Sequence, residues 1–172
     1  MLVIYKDSSF EETEIAPRPA IIPIYDSDQE FYLRNDYFLC FTFIDEDGVV
    51  HKVEIFIPAL FIFDGASIPR FFWRVVGFPL SPRFIVAALI HDALFGKIHG
   101  RVKIWLNGEE LSSDQAQEFF DQKTTDLIFK GILIVEQNSG WKVRAMHRAV
   151  RMGGRFSFRK TENKFYRNLN HA

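Results

Sequence analysis

Six apolar residues in a row, Ile85-Val86-Ala87-Ala88-Leu89-Ile90, run directly into His91-Asp92. Any fold must bury the run, and it must then find partners for the titratable pair carried with it, because an unpaired buried charge is expensive. Ser81 is a good N-cap, Pro82 suits a first helical turn and Gly96 ends the run after Phe95, so the segment is predicted to be helical. Phe84, Ala87, Ala88, His91 and Phe95 follow the spacing of one helical face, which turns His91 inward. Asp92 lies about 100° round from it.

Upstream the period changes from helical to alternating. Phe31 to Ile44 and Val49 to Phe63 are predicted strands, joined by Asp45-Glu46-Asp47-Gly48, whose Asp-Gly is a hairpin signal. Tyr37, Leu39, Phe41 and Phe43 share one face, and Val53, Ile55 and Ile57 share a face of the partner. The end of the second strand, Leu60 to Phe63, delivers Asp64 to a turn in which Gly65 gives permissive backbone geometry and Pro69 stiffens the exit. Asp64 and Ser67 then sit at a loop mouth, where such residues also commonly cap their own turn. Earlier still, Leu2 to Tyr5 suits a short strand, and Ala20 to Tyr25 suits one that Pro23 confines to an edge or a bulge.

Downstream, Val102 to Gly108 reads as a short strand or a lid. Ser112 or Ser113 caps a second helix from about Asp114 to Phe129 or beyond, with Ala116, Phe119, Phe120, Lys123 and Leu127 as its stripe. Asp126, seven residues after Phe119, lies only about 20° from it and faces inward, with pairing to Lys123 or Lys130 as the alternative; Asp121 falls on the opposite side. Trp141 to Met152 is predicted to be a third helix that packs through Ala145, Met146, Ala149 and Val150. Arg144, Arg148 and Arg151 form its basic stripe, which is either a solvated face or a partner for carboxylates and anions. Residues 155–172 are basic and aromatic without periodicity and read as a tail or docking arm.

The expected fold is therefore α+β: an antiparallel sheet from the N-terminal half packed against about three helices from the C-terminal half, in one domain over 1–154 followed by the tail. A length of 172 residues suits one domain, and 48% hydrophobic with 25% charged residues is a globular composition. Nineteen Phe residues point to a core or interface filled by rings. A formal charge of −1 argues against nucleic acid as a partner. The single Cys40 rules out an internal disulfide, and no stretch approaches the about 20 apolar residues of a membrane span.

The block Asp64-Gly65-Ala66-Ser67-Ile68-Pro69 followed by Phe72-Trp73, the His91-Asp92 pair, a later helical aspartate matched to Asp126, and Arg151 in Ala149-Val150-Arg151-Met152-Gly153 together resemble the phage and bacterial proteins known as domain of unknown function 1353. The resemblance spans roughly 38–154. It implies a phage or prophage origin, hence the cytoplasm of a bacterial host or the virion as location, and a shared polar site without a settled activity.

No Gly-rich phosphate loop, His-Glu-x-x-His, Cys-x-x-Cys or Gly-x-Ser-x-Gly elbow is present, so the chemistry rests on a constellation. Asp64, His91, Asp92 and Asp126 form a ligand set for a divalent metal that activates water, magnesium or manganese on the carboxylates, zinc if the histidine takes part. This is the reading as a metal-dependent hydrolase. A metal-free version makes Ser67 the nucleophile and His91 its general base, with Arg151 in support. Against both stands a non-enzymatic virion or tail-assembly protein, in which the same residues form a buried polar network, or a module that binds a host protein.

Overall fold

The computed structural model describes residues 18–24, 30–45, 47–63, 84–136, 140–154, 158–160 and 162–166. In chain order the elements are β1 (Ile21–Pro23), β2 (Phe31–Leu33), β3 (Tyr37–Ile44), β4 (Val50–Ile57), β5 (Phe61–Phe63), α1 (Ile85–Phe95), β6 (Lys103–Leu106), β7 (Glu109–Leu111), α2 (Ser113–Phe119), α3 (Gln122–Val135), α4 (Gly140–Gly154) and β8 (Lys164–Phe165). All pairings between strands are antiparallel and the helices follow most of the strands, so the class is α+β.

The strands form two sheets rather than one, in the orders β1-β2-β5-β8 and β3-β4-β6-β7. Each long strand expected from the sequence is cut in two, and its halves go to different sheets. The first cut falls between Leu33 and Tyr37, where Asp36 turns its carboxylate to the Ala59 backbone N–H at 2.7 Å. The second falls at Pro58 to Leu60, where Pro58 has no N–H to give a ladder and Leu60 takes a φ of 68°. The alternation itself is kept: Tyr37, Leu39, Phe41 and Phe43 are buried on one face of β3, and Val53, Ile55 and Ile57 on β4. Gly48, at φ 83°, closes their hairpin, and β1, with Pro23, is an edge strand.

Residues 102–108 are not a lid. Strand β6 pairs with β4 from Val53↔Leu106 to Phe56↔Lys103 and turns through Asn107-Gly108 into β7. Two further corrections concern helices. The expected second helix is two, α2 and α3, broken at Phe120-Asp121: Ser112 closes a capping box with Gln115 on α2, and the Asp121 carboxylate accepts the Thr124 N–H at 2.7 Å as the N-cap of α3. Helix α1 has Phe84 at its N-cap position with no side-chain cap; Ser81 and Pro82, and the expected first strand Leu2 to Tyr5, lie outside the described residues.

Nine of the eleven α1 residues are buried, so this is a helix enclosed by the core and not one with a single apolar stripe. It packs most extensively on α3 and also touches β5, while α4 packs on α3 as well. One hydrophobic cluster joins residues of both sheets and of all four helices.

The segment expected as a tail runs back over this core. Arg159 donates from one guanidinium to four backbone carbonyls: Leu94 at 2.6 Å and Gly96 at the C-terminal end of α1, Phe120 at 2.6 Å and Gln117 at 3.2 Å at that of α2. A cation suits both ends, where helix carbonyls are left without intrahelical partners. Strand β8 then pairs with β5, Phe61 opposite Phe165.

Candidate functional site

Helix α1 presents His91 and helix α3 presents Asp126 to the seam between them. The His91 Nε2 lies 3.2 Å from Asp126 Oδ1, a hydrogen bond, and His91 Nδ1 lies 3.6 Å from Asp92 Oδ1, an ion-pair separation. Phe95 and Phe129 hold the imidazole from either helix, with ring centroids 5.0 and 5.2 Å away. The three side chains form a string whose exposure rises along it: 0% for Asp126, 5% for His91, 17% for Asp92.

Burial by itself pushes the His91 pKa down. The hydrogen bond to Asp126 and the adjacent Asp92 carboxylate outweigh it and raise the pKa from 6.5 to about 9, which makes the ring an imidazolium at neutral pH. Both ring nitrogens already face carboxylate oxygens. So engaged, the ring bridges the two carboxylates, one on its own helix and one on α3.

One oxygen is left over. Asp126 Oδ2 is buried and has no hydrogen-bond partner, a costly arrangement for a carboxylate. Near it stands a residue that sequence reasoning passed over, His147 on α4, whose Nε2 is also buried without a partner. Burial and Lys130 press the His147 pKa below its usual value, Asp126 pulls the other way, and Arg151 adds to the lowering. The signal that leads to His147 is its spacing: it lies one turn before Arg151, on the same side of α4.

Of the expected site residues, the structure thus brings together His91, Asp92 and Asp126. Arg151 enters only through its charge on His147; it makes no hydrogen bond or ion pair with the carboxylates, and Arg144 and Arg148 are exposed. Asp64 and Ser67 lie outside the described residues. His51, the one upstream histidine of the strands, is occupied elsewhere, bonded to Asp45 of its own hairpin at 2.9 Å and set against Phe43 and Phe119. Among the described residues no three His, Cys, Asp or Glu side chains converge to hold a metal ion.

Residues 41–150 match the family described as Protein of unknown function (DUF1353). The chain belongs to this family. The match takes in β3 through most of α4, and with them His91, Asp92, Asp126 and His147. No curated protein and no solved structure gives a significant match. Among the described residues, no helix of this DUF1353 protein is long and apolar enough to cross a membrane.

Proposed function

We propose that this DUF1353 protein is a hydrolytic enzyme in which Asp92 is the working carboxylate and His91 and Asp126 are the positioning pair behind it. The observation that carries the reading is the string from Asp126 through His91 to Asp92, fully buried at one end and partly exposed at the other. Such an arrangement holds one reactive oxygen in a fixed direction at a protein surface, which is how a buried acid and an imidazole serve the group in front of them. Asp92 accepts the proton of a water that attacks a phosphoester or amide and hands it to the leaving alkoxide or amine as the P–O or C–N bond breaks, while the imidazolium of His91 keeps the carboxylate in place. The perturbed His91 and the unpartnered Asp126 Oδ2 support the same reading, since strained electrostatics gather at working sites. Among the described residues, Asp92 and Asp126 Oδ2 are the carboxylate oxygens that would hold a divalent metal, and no step is drawn through one.

A second reading is favoured by a separate observation: His91 and Asp126 are buried and bridge α1 to α3, the helix pair with the most extensive packing. Here the string is a lock that fixes the helix packing, and the protein acts as a non-enzymatic component, of a virion on the phage origin that the family resemblance implies. Metal content on untagged, chelator-free protein, a screen of aryl phosphate monoesters, diesters and amides, and melting of three variants separate the two. The enzyme reading expects Asp92→Asn to cut turnover by roughly a hundredfold with melting changed by no more than about 2 °C. Failure of every substrate class, with Asp92→Asn silent and His91→Gln and Asp126→Asn strongly destabilised, establishes the lock instead.

A further inference from the structure

The whole-chain charge of −1 conceals a local asymmetry. Helix α4 carries Lys142, Arg144, Arg148 and Arg151 and no acidic residue. None of these makes an ion pair among the described residues, and neither does Lys130 of α3. Lys130 and Arg151 both press the His147 pKa down, so both stand within electrostatic reach of that one ring. The carboxylate that reaches the same ring, Asp126, is fully buried and bonded to His91. Cations gathered on one helix pair without counter-charges repel one another, a cost that a bound polyanion removes.

Helix α4 is turned so that much of this charge meets solvent. Val143, Met146 and Val150 are buried and the helix packs on α3, while Trp141, Arg144, Arg148 and Met152 are exposed. Those four fall at i, i+3, i+7 and i+11, within an arc of about 80°. The outward line of the helix is therefore two arginines set between an indole and a thioether. The indole is 49% exposed, and Lys142 Nζ lies 5.7 Å from its ring centroid.

The chemistry along this line selects the partner. Guanidinium forks grip phosphate oxygens through paired N–H groups, and an exposed indole is a platform for a base that is not held in a duplex. A single nucleic-acid strand carries phosphates and free bases in alternation. An anionic membrane matches the charge alone, because the apolar side of α4 is buried against α3 and leaves no stripe to enter the acyl region. We propose that the outer face of α4 binds single-stranded nucleic acid, with Arg144 and Arg148 on its phosphates, Trp141 stacked on a base, and Lys130 and Arg151 adding charge at the flank.

Fluorescence anisotropy of a labelled oligothymidylate of about twelve nucleotides, titrated with the full chain, tests this. Saturable binding with a Kd in the micromolar range is expected at about 50 mM salt. The log of the affinity should fall with the log of salt at a slope of about −2, the value for about three phosphates neutralised on a single strand. Arg144→Gln combined with Arg148→Gln should weaken binding at least about tenfold and bring the slope to about −1, with melting unchanged because both side chains are exposed and unpaired. Trp141→Ala should weaken binding about fivefold or more at an unchanged slope, since stacking releases no counterions. Absence of saturable binding up to about 200 µM protein at about 25 mM salt overturns the proposal. Unchanged affinity in the double-arginine variant overturns it too. A duplex of the same length bound as tightly as the single strand refutes the stacked base, and binding to phosphatidylserine vesicles with none to the oligonucleotide assigns the face to a membrane instead.

Discussion

The His91 string ties stability to pH with a sign and a size that can be stated. The folded-state pKa is raised from 6.5 to about 9, so the folded protein holds this proton more tightly than the unfolded chain. The stabilisation is complete below the unfolded value, fades as pH rises and is gone once pH passes the folded value. Over that window the slope is ~1.4 kcal/mol per pH unit, and the whole comes to about 3 kcal/mol, undiscounted for solvent because the ring is buried. The groups that face the site are Asp92 and Asp126, with Lys130, Arg151 and His147 beyond Asp126. His147 has the opposite sign: with its pKa pressed down, the stability it brings is lost as pH falls through its unfolded value, on the acid side of the window. Urea unfolding at about pH 6.5 and about pH 9, on the wild-type protein and Asp126→Asn, is the measurement. The wild-type protein should lose about 3 kcal/mol between the two, and the variant should start lower and lose much less. Parallel pH profiles for the two proteins would refute the assignment of the raised pKa to the Asp126 bond.

Three other substitutions have defined outcomes. Arg159→Ala removes the donor from four carbonyls at two helix ends and should cost about 3 kcal/mol by urea unfolding, with Arg159→Lys recovering less than half. Gly154→Ala places a Cβ 3.0 Å from the Phe95 ring and 2.6 Å from the Gln122 side-chain nitrogen; the amide can swing away but the ring is packed by Phe158, so a loss of about 1 to 2 kcal/mol is expected. Asp121→Ala strips the N-cap of α3 and should cost about 1 kcal/mol, a loss that Asp121→Ser largely avoids.

Local chemistry was legible in the sequence because its causes are local. The period of two along 37–43 and 53–57 named the buried faces of β3 and β4, Asp47-Gly48 named their turn, and Ser112 was one of two serines offered as a cap; Asp126 does face inward, but the angle from Phe119 that pointed to it spans the break between α2 and α3. The helix break at Phe120-Asp121 was within reach of the same reasoning, since Asp121 with Thr124 is a cap signal; a stripe read straight across it, Phe119 and Phe120 to Lys123 and Leu127, hid the break.

What the sequence determined by itself, then, is the α+β class and the buried faces of β3 and β4, while the stripe read for the second helix included Lys123, which is exposed. Tertiary structure alone decided the rest. The strands divide between two sheets because β2 pairs with β5 (Phe31↔Phe63) and β5 with β8 (Phe61↔Phe165), partners far along the chain that no short window of sequence contains. Arg159 is a clamp and not part of a tail because the carbonyls it binds stand 39 to 65 residues away. His147 comes within electrostatic reach of Asp126, and Arg101 finds Phe165, for the same reason. Periodicity reports which side of an element is buried, while the identity of the neighbour depends on how elements pack, and that is set by the whole core at once.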